Sequence, residues 1–182
     1  MARLAATAVL VAMLSCLVGA GPVSARVQGS KIGNPSIGKI IFGGTPTNPG
    51  ITITGSDLTY DPYYGTEMPT PSPTFSPGGH PGCPVNFKGP QGHDYGTRLF
   101  VVDKSAKPIW AAGRYRPQLG ELDCIGLIVE KWESGAIQFH FGSYFRIGHF
   151  HLDKGDFVQL VWNHLGTGVH VDYVAGGVNP GS

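Results

Sequence analysis

Residues 124–141 read CIGLIVEKWESGAIQFHF. The second half, Ala136–Phe141, sets Ile137, Phe139 and Phe141 on one face and Gln138 and His140 on the other. That is the two-residue period of a strand with one buried face. The first half, Cys124–Trp132, is almost continuously apolar and reads as a strand buried on both faces. Between them Glu133-Ser134-Gly135 has the small, turn-forming chemistry of a hairpin loop. The stretch therefore predicts a β-hairpin.

The same rhythm recurs on either side. Gly38–Phe42 is a short apolar piece, and Gly50–Gly55 alternates Ile51 and Ile53 against Thr52 and Thr54. Thr97–Val102 follows a turn at Gly96, and Asp156–Trp162 puts Val158, Leu160 and Trp162 on one face. Val169–Val174 turns Val169, Val171 and Tyr173 inward and His170 and Asp172 outward, with Leu165-Gly166-Thr167 as the hairpin turn before it. The chain carries 28 Gly and 15 Pro, and these break every window in which a helical period begins. About seven short strands at this spacing predict an all-β, immunoglobulin-like two-sheet sandwich. One segment breaks the rhythm: residues 61–95 are too rich in Pro and Gly for a strand and too long for a hairpin loop, so they are expected to form one long surface loop.

The N-terminus points to export. Arg3 precedes an apolar run from Leu4 to about Ala20, and Val23-Ser24-Ala25 places small residues where a signal peptidase reads. Residues 1–25 are expected to be a signal peptide and 26–182 a single β-sandwich domain, secreted or held in the cell envelope. Acylation at Cys16 is the lipoprotein alternative. No later stretch is apolar enough to span a bilayer, so no membrane insertion is expected. The chain has 13 Lys+Arg against 12 Asp+Glu, and removing Arg3 with the leader leaves the two in balance. A neutral chain has no basic excess to draw phosphates, which argues against nucleic-acid binding. Two cysteines remain, Cys83 and Cys124. In an exported chain such a pair reads as a disulfide, a reactive or metal-binding thiol being the alternative. A monomer is expected.

Three groups of residues bear on chemistry. His149 and His151 are two apart, so on a strand they would share a face, and His140 falls on a neighbouring predicted strand. With His164 or His170, or with Asp153 or Asp172, they would suit a zinc ion with an open coordination position and hydrolytic chemistry. Exposed strand faces account for the same histidines without a metal, so the expected cofactor is none, with zinc as the alternative. Asp57, Asp61, Asp94 and Asp103 lie in or beside loops, where calcium is bound, but in no EF-hand order. Nucleophilic catalysis finds no Gly-x-Ser-x-Gly elbow. The third group is aromatic. Tyr60, Tyr63 and Tyr64 cluster at the mouth of the long loop, and Trp110, Tyr115 and Tyr144 fall in connecting segments. Loop-borne rings stack on sugars or anchor a protein partner.

The stretch GGTPTNPGITITGSDL, Gly43–Leu58, resembles the opening strands of an IPT/TIG-type immunoglobulin-like domain, with Ile51, Ile53, Gly55 and Leu58 at the matching positions. DYGTRLFVVD and CIGLIVEKWESGAIQFHFGSYF look like the disulfide-tied body of a recurring type of exported actinobacterial protein of unknown function. The resemblance implies a binding or scaffold role and supplies no catalytic residue. The expectation is a non-enzymatic binding or structural module that engages a glycan or protein through Tyr60, Tyr63, Tyr64, Trp110 and Tyr115. A metal-binding protein or metal-dependent hydrolase built on His140, His149 and His151 is the alternative, and a secreted inhibitor the third reading.

Overall fold

The computed structural model describes residues 35–61, 66, 67, 83, 88–114 and 122–174. In chain order the described elements are β1 (Ser36–Thr45), β2 (Asn48–Ser56), β3 (Tyr60–Asp61), β4 (Thr66–Glu67), β5 (Leu99–Asp103), β6 (Trp110–Ala112), β7 (Leu122–Ile125), β8 (Leu127–Glu133), β9 (Ala136–Phe141), α1 (Ser143–Ile147), β10 (Phe157–Trp162) and β11 (Leu165–His170). One sheet has the order β1-β2-β9-β8 and the other β11-β10-β5-β6-β7. All pairs are antiparallel except β6 with β7. The expected all-β two-sheet sandwich is present.

The core lies between the sheets. Ile51, Ile53, Ile137 and Phe139 project from the first, and Leu99, Val101, Val158, Leu160 and Trp162 from the second, all buried in one cluster. Each such side chain contributes roughly 1.5–3 kcal/mol of hydrophobic transfer. Cys83 and Cys124 form the expected disulfide, with Cα atoms 5.4 Å apart across 41 residues. Among the described residues no helix is long and apolar enough to cross a membrane. Residues 1–25, Cys16 and most of 61–95 lie outside the described residues.

The hairpin at Ser134-Gly135 is as expected, but its first arm is not one strand. Cys124–Trp132 divides at Gly126 into β7 and β8, which belong to different sheets. The cause is crowding by a third segment. His93 and Leu127 exchange backbone hydrogen bonds of 2.8 and 3.0 Å, and Gly142 N–H donates to the Gly126 carbonyl at 2.7 Å. A Cβ on Gly126 would stand 2.4 Å from the Gln91 carbonyl oxygen and 2.6 Å from the Gly92 carbonyl carbon. Nor is β8 buried on both faces, since Glu130 and Glu133 are exposed. The strand buried on both faces is β5. Its outward residues Phe100 and Val102 form a second cluster with Ala111 and Val161, and the Arg114 guanidinium lies 4.1 Å from the centre of the Phe100 ring.

Leu165-Gly166-Thr167 is also strand rather than turn. The loop is Asn163-His164, with φ of 41° and 66°. A two-residue hairpin of this hand needs positive φ at both positions, and Asn is well suited to the first. The Asn163 side chain adds a second reason by donating to the carbonyls of Leu58 and Tyr60 at 3.0 and 3.2 Å. Within residues 61–95, Tyr60–Asp61 pairs with Thr66–Glu67, so that segment opens on a short hairpin.

The crossing at Gly126 yields a paired prediction. Gly126→Ala is expected to lower stability by about 1–3 kcal/mol or more, as overpacking does. Gly135→Ala, where an added Cβ meets nothing within 4 Å, is expected to stay within about 0.5 kcal/mol of wild type. Urea-denaturation midpoints of the two variants check this.

Candidate functional site

Two surface depressions flank α1. The smaller, about 380 Å³, is lined by Thr47, Asn48, Pro90, His140, Ser143 and Arg146 among others. His140, on the polar face of β9, sits with Nδ1 3.1 Å from a Glu130 carboxylate oxygen. The approach is not an aligned hydrogen bond, because the buried Nδ1 has no hydrogen-bond partner. Burial holds the His140 pKa below its ordinary value, outweighing the pull of Glu130 in the other direction.

The larger depression, about 500 Å³, is a cleft between the β5–β6 connection and the α1–β10 connection. Its walls include Ser105, Lys107 and Pro108 on one side and Tyr144, His149, Phe150, His151, Asp153 and Asp156 on the other. The helix that presents Tyr144 is short because Gly142 and Gly148 bracket it. Phe145 is its buried anchor, stacked on Phe141 with ring centroids 4.5 Å apart.

Past the helix the chain turns sharply. Gly148 N–H donates to the Tyr144 carbonyl and Phe150 N–H to the Phe145 carbonyl, while His149 takes a φ of 59°. Leu152 then plugs into the core, its N–H bonded to the Pro46 carbonyl and its carbonyl accepting the Tyr173 hydroxyl at 2.6 Å. Burial, with the charges of Asp153 and Asp156 adding to it, drives the Tyr173 phenol far above its usual range, so it stays a donor. The two walls are sewn together at the base. Lys104 N–H donates to the Phe157 carbonyl at 3.0 Å, and Phe157 N–H to Ser105 Oγ at 2.8 Å.

Beneath the cleft lies Asp103, with no exposed surface. Its Oδ1 accepts the N–H groups of Ser105 and Ala106 at 2.8 and 3.1 Å and so shapes the β5–β6 connection. Its Oδ2 has no hydrogen-bond partner among the described residues. Burial raises the Asp103 pKa, the two N–H bonds lower it less, and the charges of Asp156 and Asp153 raise it further.

The cleft gathers only some of the expected site residues. His149 and His151 share it, both exposed, but on a turn and an irregular segment and not on a strand. His140 lines the other depression. Among the described residues no three His, Cys, Asp or Glu side chains are grouped to hold a metal ion. Trp110 belongs to strand β6 and is 2 % exposed, so it is no loop platform. Its ring is enclosed edge-on by Phe141, Phe145 and Phe150 at centroid distances of 5.7, 5.3 and 6.1 Å, and only its margin reaches the cleft. Tyr60 is half-buried in β3, tied to the Asn163 turn and away from the cleft. Tyr63, Tyr64 and Tyr115 lie outside the described residues. Phe150 and Asp156 were not among the expected site residues. Their only sequence signal is position, beside the histidines and at the start of the next strand.

No family model, curated protein or solved structure matches the chain. Any reading of the cleft therefore rests on its own chemistry. It offers two half-buried rings, Tyr144 and Phe150, at 5.7 Å and 62°. Around them stand carboxylate acceptors, imidazoles that donate or accept, and a single ammonium, Lys107.

Asp103 supplies a pH test. A raised folded pKa means that the carboxyl contributes most at low pH and that this contribution is lost as pH rises through the folded value. Asp103→Asn keeps an oxygen for the two N–H donors and cannot ionise. Its stability relative to wild type is therefore expected to rise as pH goes from about 4, near the unfolded carboxyl value, to about 8. Urea midpoints at both ends of this range measure it.

Proposed function

We propose that the protein is a secreted or cell-envelope binding module and that the cleft between the β5–β6 and α1–β10 connections is its ligand site. The observation that carries this is the composition of the cleft wall, in which the rings of Tyr144 and Phe150 stand beside His149, His151 and Asp153. Apolar ring surface with a few convergent polar groups is the common make-up of a small-ligand site. Rings flanked by carboxylate and imidazole suit a sugar, whose C–H face packs on an aromatic while its hydroxyls bond to the acceptors.

The charge narrows the class. Among the described residues that line the cleft, Asp103, Asp153 and Asp156 stand with Lys107 as the one fixed cation, which disfavours an acidic chain. A neutral oligosaccharide fits best. The resemblance of Gly43–Leu58 to IPT/TIG domains supports a binding role in general terms, as does the disulfide, which suits an oxidising compartment.

The test is equilibrium binding against a panel of neutral oligosaccharides. Tyr144→Ala and His151→Ala are each expected to weaken any measured affinity at least about tenfold, or 1.4 kcal/mol. Tyr60→Ala, remote from the cleft, is expected to leave it unchanged. Equal affinity of wild type and Tyr144→Ala, or no binding across the panel, would remove the sugar reading.

A further inference from the structure

The five-stranded sheet ends at β11, and among the described residues no strand pairs with its outer edge. Pairing with β10 follows the register Val158↔Val169, Leu160↔Thr167 and Trp162↔Leu165. The two-residue loop makes Trp162 and Leu165 a hydrogen-bonded pair, so residues 165, 167 and 169 spend their backbone groups on β10. The bonds of Asn163 N–H to the Arg98 carbonyl and Lys104 N–H to the Phe157 carbonyl fix the same parity one strand over. The N–H and C=O groups of Gly166, Gly168 and His170 therefore point away from the sheet, and all three residues are exposed.

Edge strands are usually guarded by charge, by proline, by a bulge or by extreme shortness. Leu165–His170 is six residues of LGTGVH with neither charged side chain nor proline, and its pairing with β10 runs without a bulge. Its outer face is also bare in a particular way. Phe157 is 39 % exposed and leans across Gly168, so close that a Cβ there would stand 2.4 Å from the ring. Beyond the ring a groove of about 260 Å³ opens over Gly166 and Gly168, walled by Phe157, Gln159 and Lys104. Among the described residues nothing crowds Gly166, where an added Cβ would find its nearest neighbour at 3.5 Å.

We propose that the occupant of this edge is the β11 strand of a second copy of the chain, paired antiparallel about a two-fold axis at Gly168. The parity of the free groups selects the register. Gly166, Gly168 and His170 must bond to the same set on the partner. The register that spans the most strand while leaving the Asn163-His164 turn outside sets Gly168 against Gly168 and Gly166 against His170. Each His170, its ring 5.2 Å from its own Phe157 and its Nδ1 3.0 Å from its own Gly155 carbonyl oxygen, then stands opposite the other copy's bare Gly166. The two Phe157 rings flank the axis and cover the glycine pair. On the opposite face Thr167 meets Val169, a β-branched pair that packs well across strands. The self-complementarity is that of an isologous contact, in which each copy sets its His170 opposite the other's Gly166. Two five-stranded sheets become one continuous sheet.

Sedimentation velocity of the full mature chain tests this. Wild type is expected to be dimeric at about 100 μM, where a micromolar contact is populated. Gly166→Lys, which finds open space in its own chain, sets an ammonium against the partner's His170 and is expected to weaken the dimer at least tenfold. Gly166→Lys with His170→Asp sets the two charges together across both halves of the contact and is expected to restore the dimer. Thermal melts within a few degrees of wild type show that the variants are folded. A monomeric wild type at that concentration overturns the proposal, because it leaves the edge to a strand from another protein or to none. Dimers of equal strength in wild type and folded Gly166→Lys overturn it as well, because they place the contact elsewhere.

Discussion

The chain passes from one sheet to the other at Gly126, and the passage is possible only because no side chain stands there. Three backbone segments meet at that point. Gln91–His93 lies across Gly126-Leu127, and Gly142 closes on the Gly126 carbonyl. Gly92, with φ 73°, is as confined as Gly126, since its own Cβ would stand 2.7 Å from the Gly126 carbonyl carbon. Backbone packed on backbone leaves its polar groups to bond one another, and the His93–Leu127 exchange does this for both residues. One consequence is that β7 joins the five-stranded sheet while β8 joins the four-stranded one, so a single covalent stretch staples the sandwich. The Cys83–Cys124 bridge sits two residues from the same point.

The cleft inherits its position from this crossing. Gly142 follows β9 directly and, held against Gly126, sends the chain into α1 beside the end of β6. Phe145 packs down on Trp110 and Phe141, which leaves Tyr144 on the rim. The next turn throws His149, Phe150 and His151 to the surface and returns to the core at Leu152. On the other wall Asp103 organises Ser105 and Ala106 from below. A carboxylate fully buried with one oxygen unpartnered is costly. Asp103 lies under the cleft, and through its bonds to Ser105 and Ala106 wall shape is what it secures.

Much of this was legible in the residues, and the failures have physical causes. Ala136–Phe141 alternates cleanly, and its boundaries match because one face meets the core and the other meets water. Cys124–Trp132 misled because apolar composition cannot distinguish a strand buried on both faces from two strands that share a glycine. Leu165-Gly166-Thr167 looked like a turn because Gly usually marks one. Here Gly166 is a strand residue, as is Gly168 under the Phe157 ring, and the turn is made by Asn163 and His164. Trp110 heads a three-residue strand, too short to show any period. The His-x-His spacing predicted a shared strand face, but the left-handed backbone at His149 removes the strand and keeps the two imidazoles in one cleft by a different route.

The central claim is that ligand recognition belongs to the cleft and not to the tyrosines of residues 60–64. Amide chemical-shift mapping of the isotope-labelled mature protein, titrated with a neutral oligosaccharide that binds it, tests this directly. The account predicts that the shifted amides are those of Ser105–Lys107, Ile109, Tyr144 and Gly148–Asp153, with Tyr60 and Asp61 unmoved. Shifts centred on residues 60–67, or on the groove of His140 and Arg146, would contradict it.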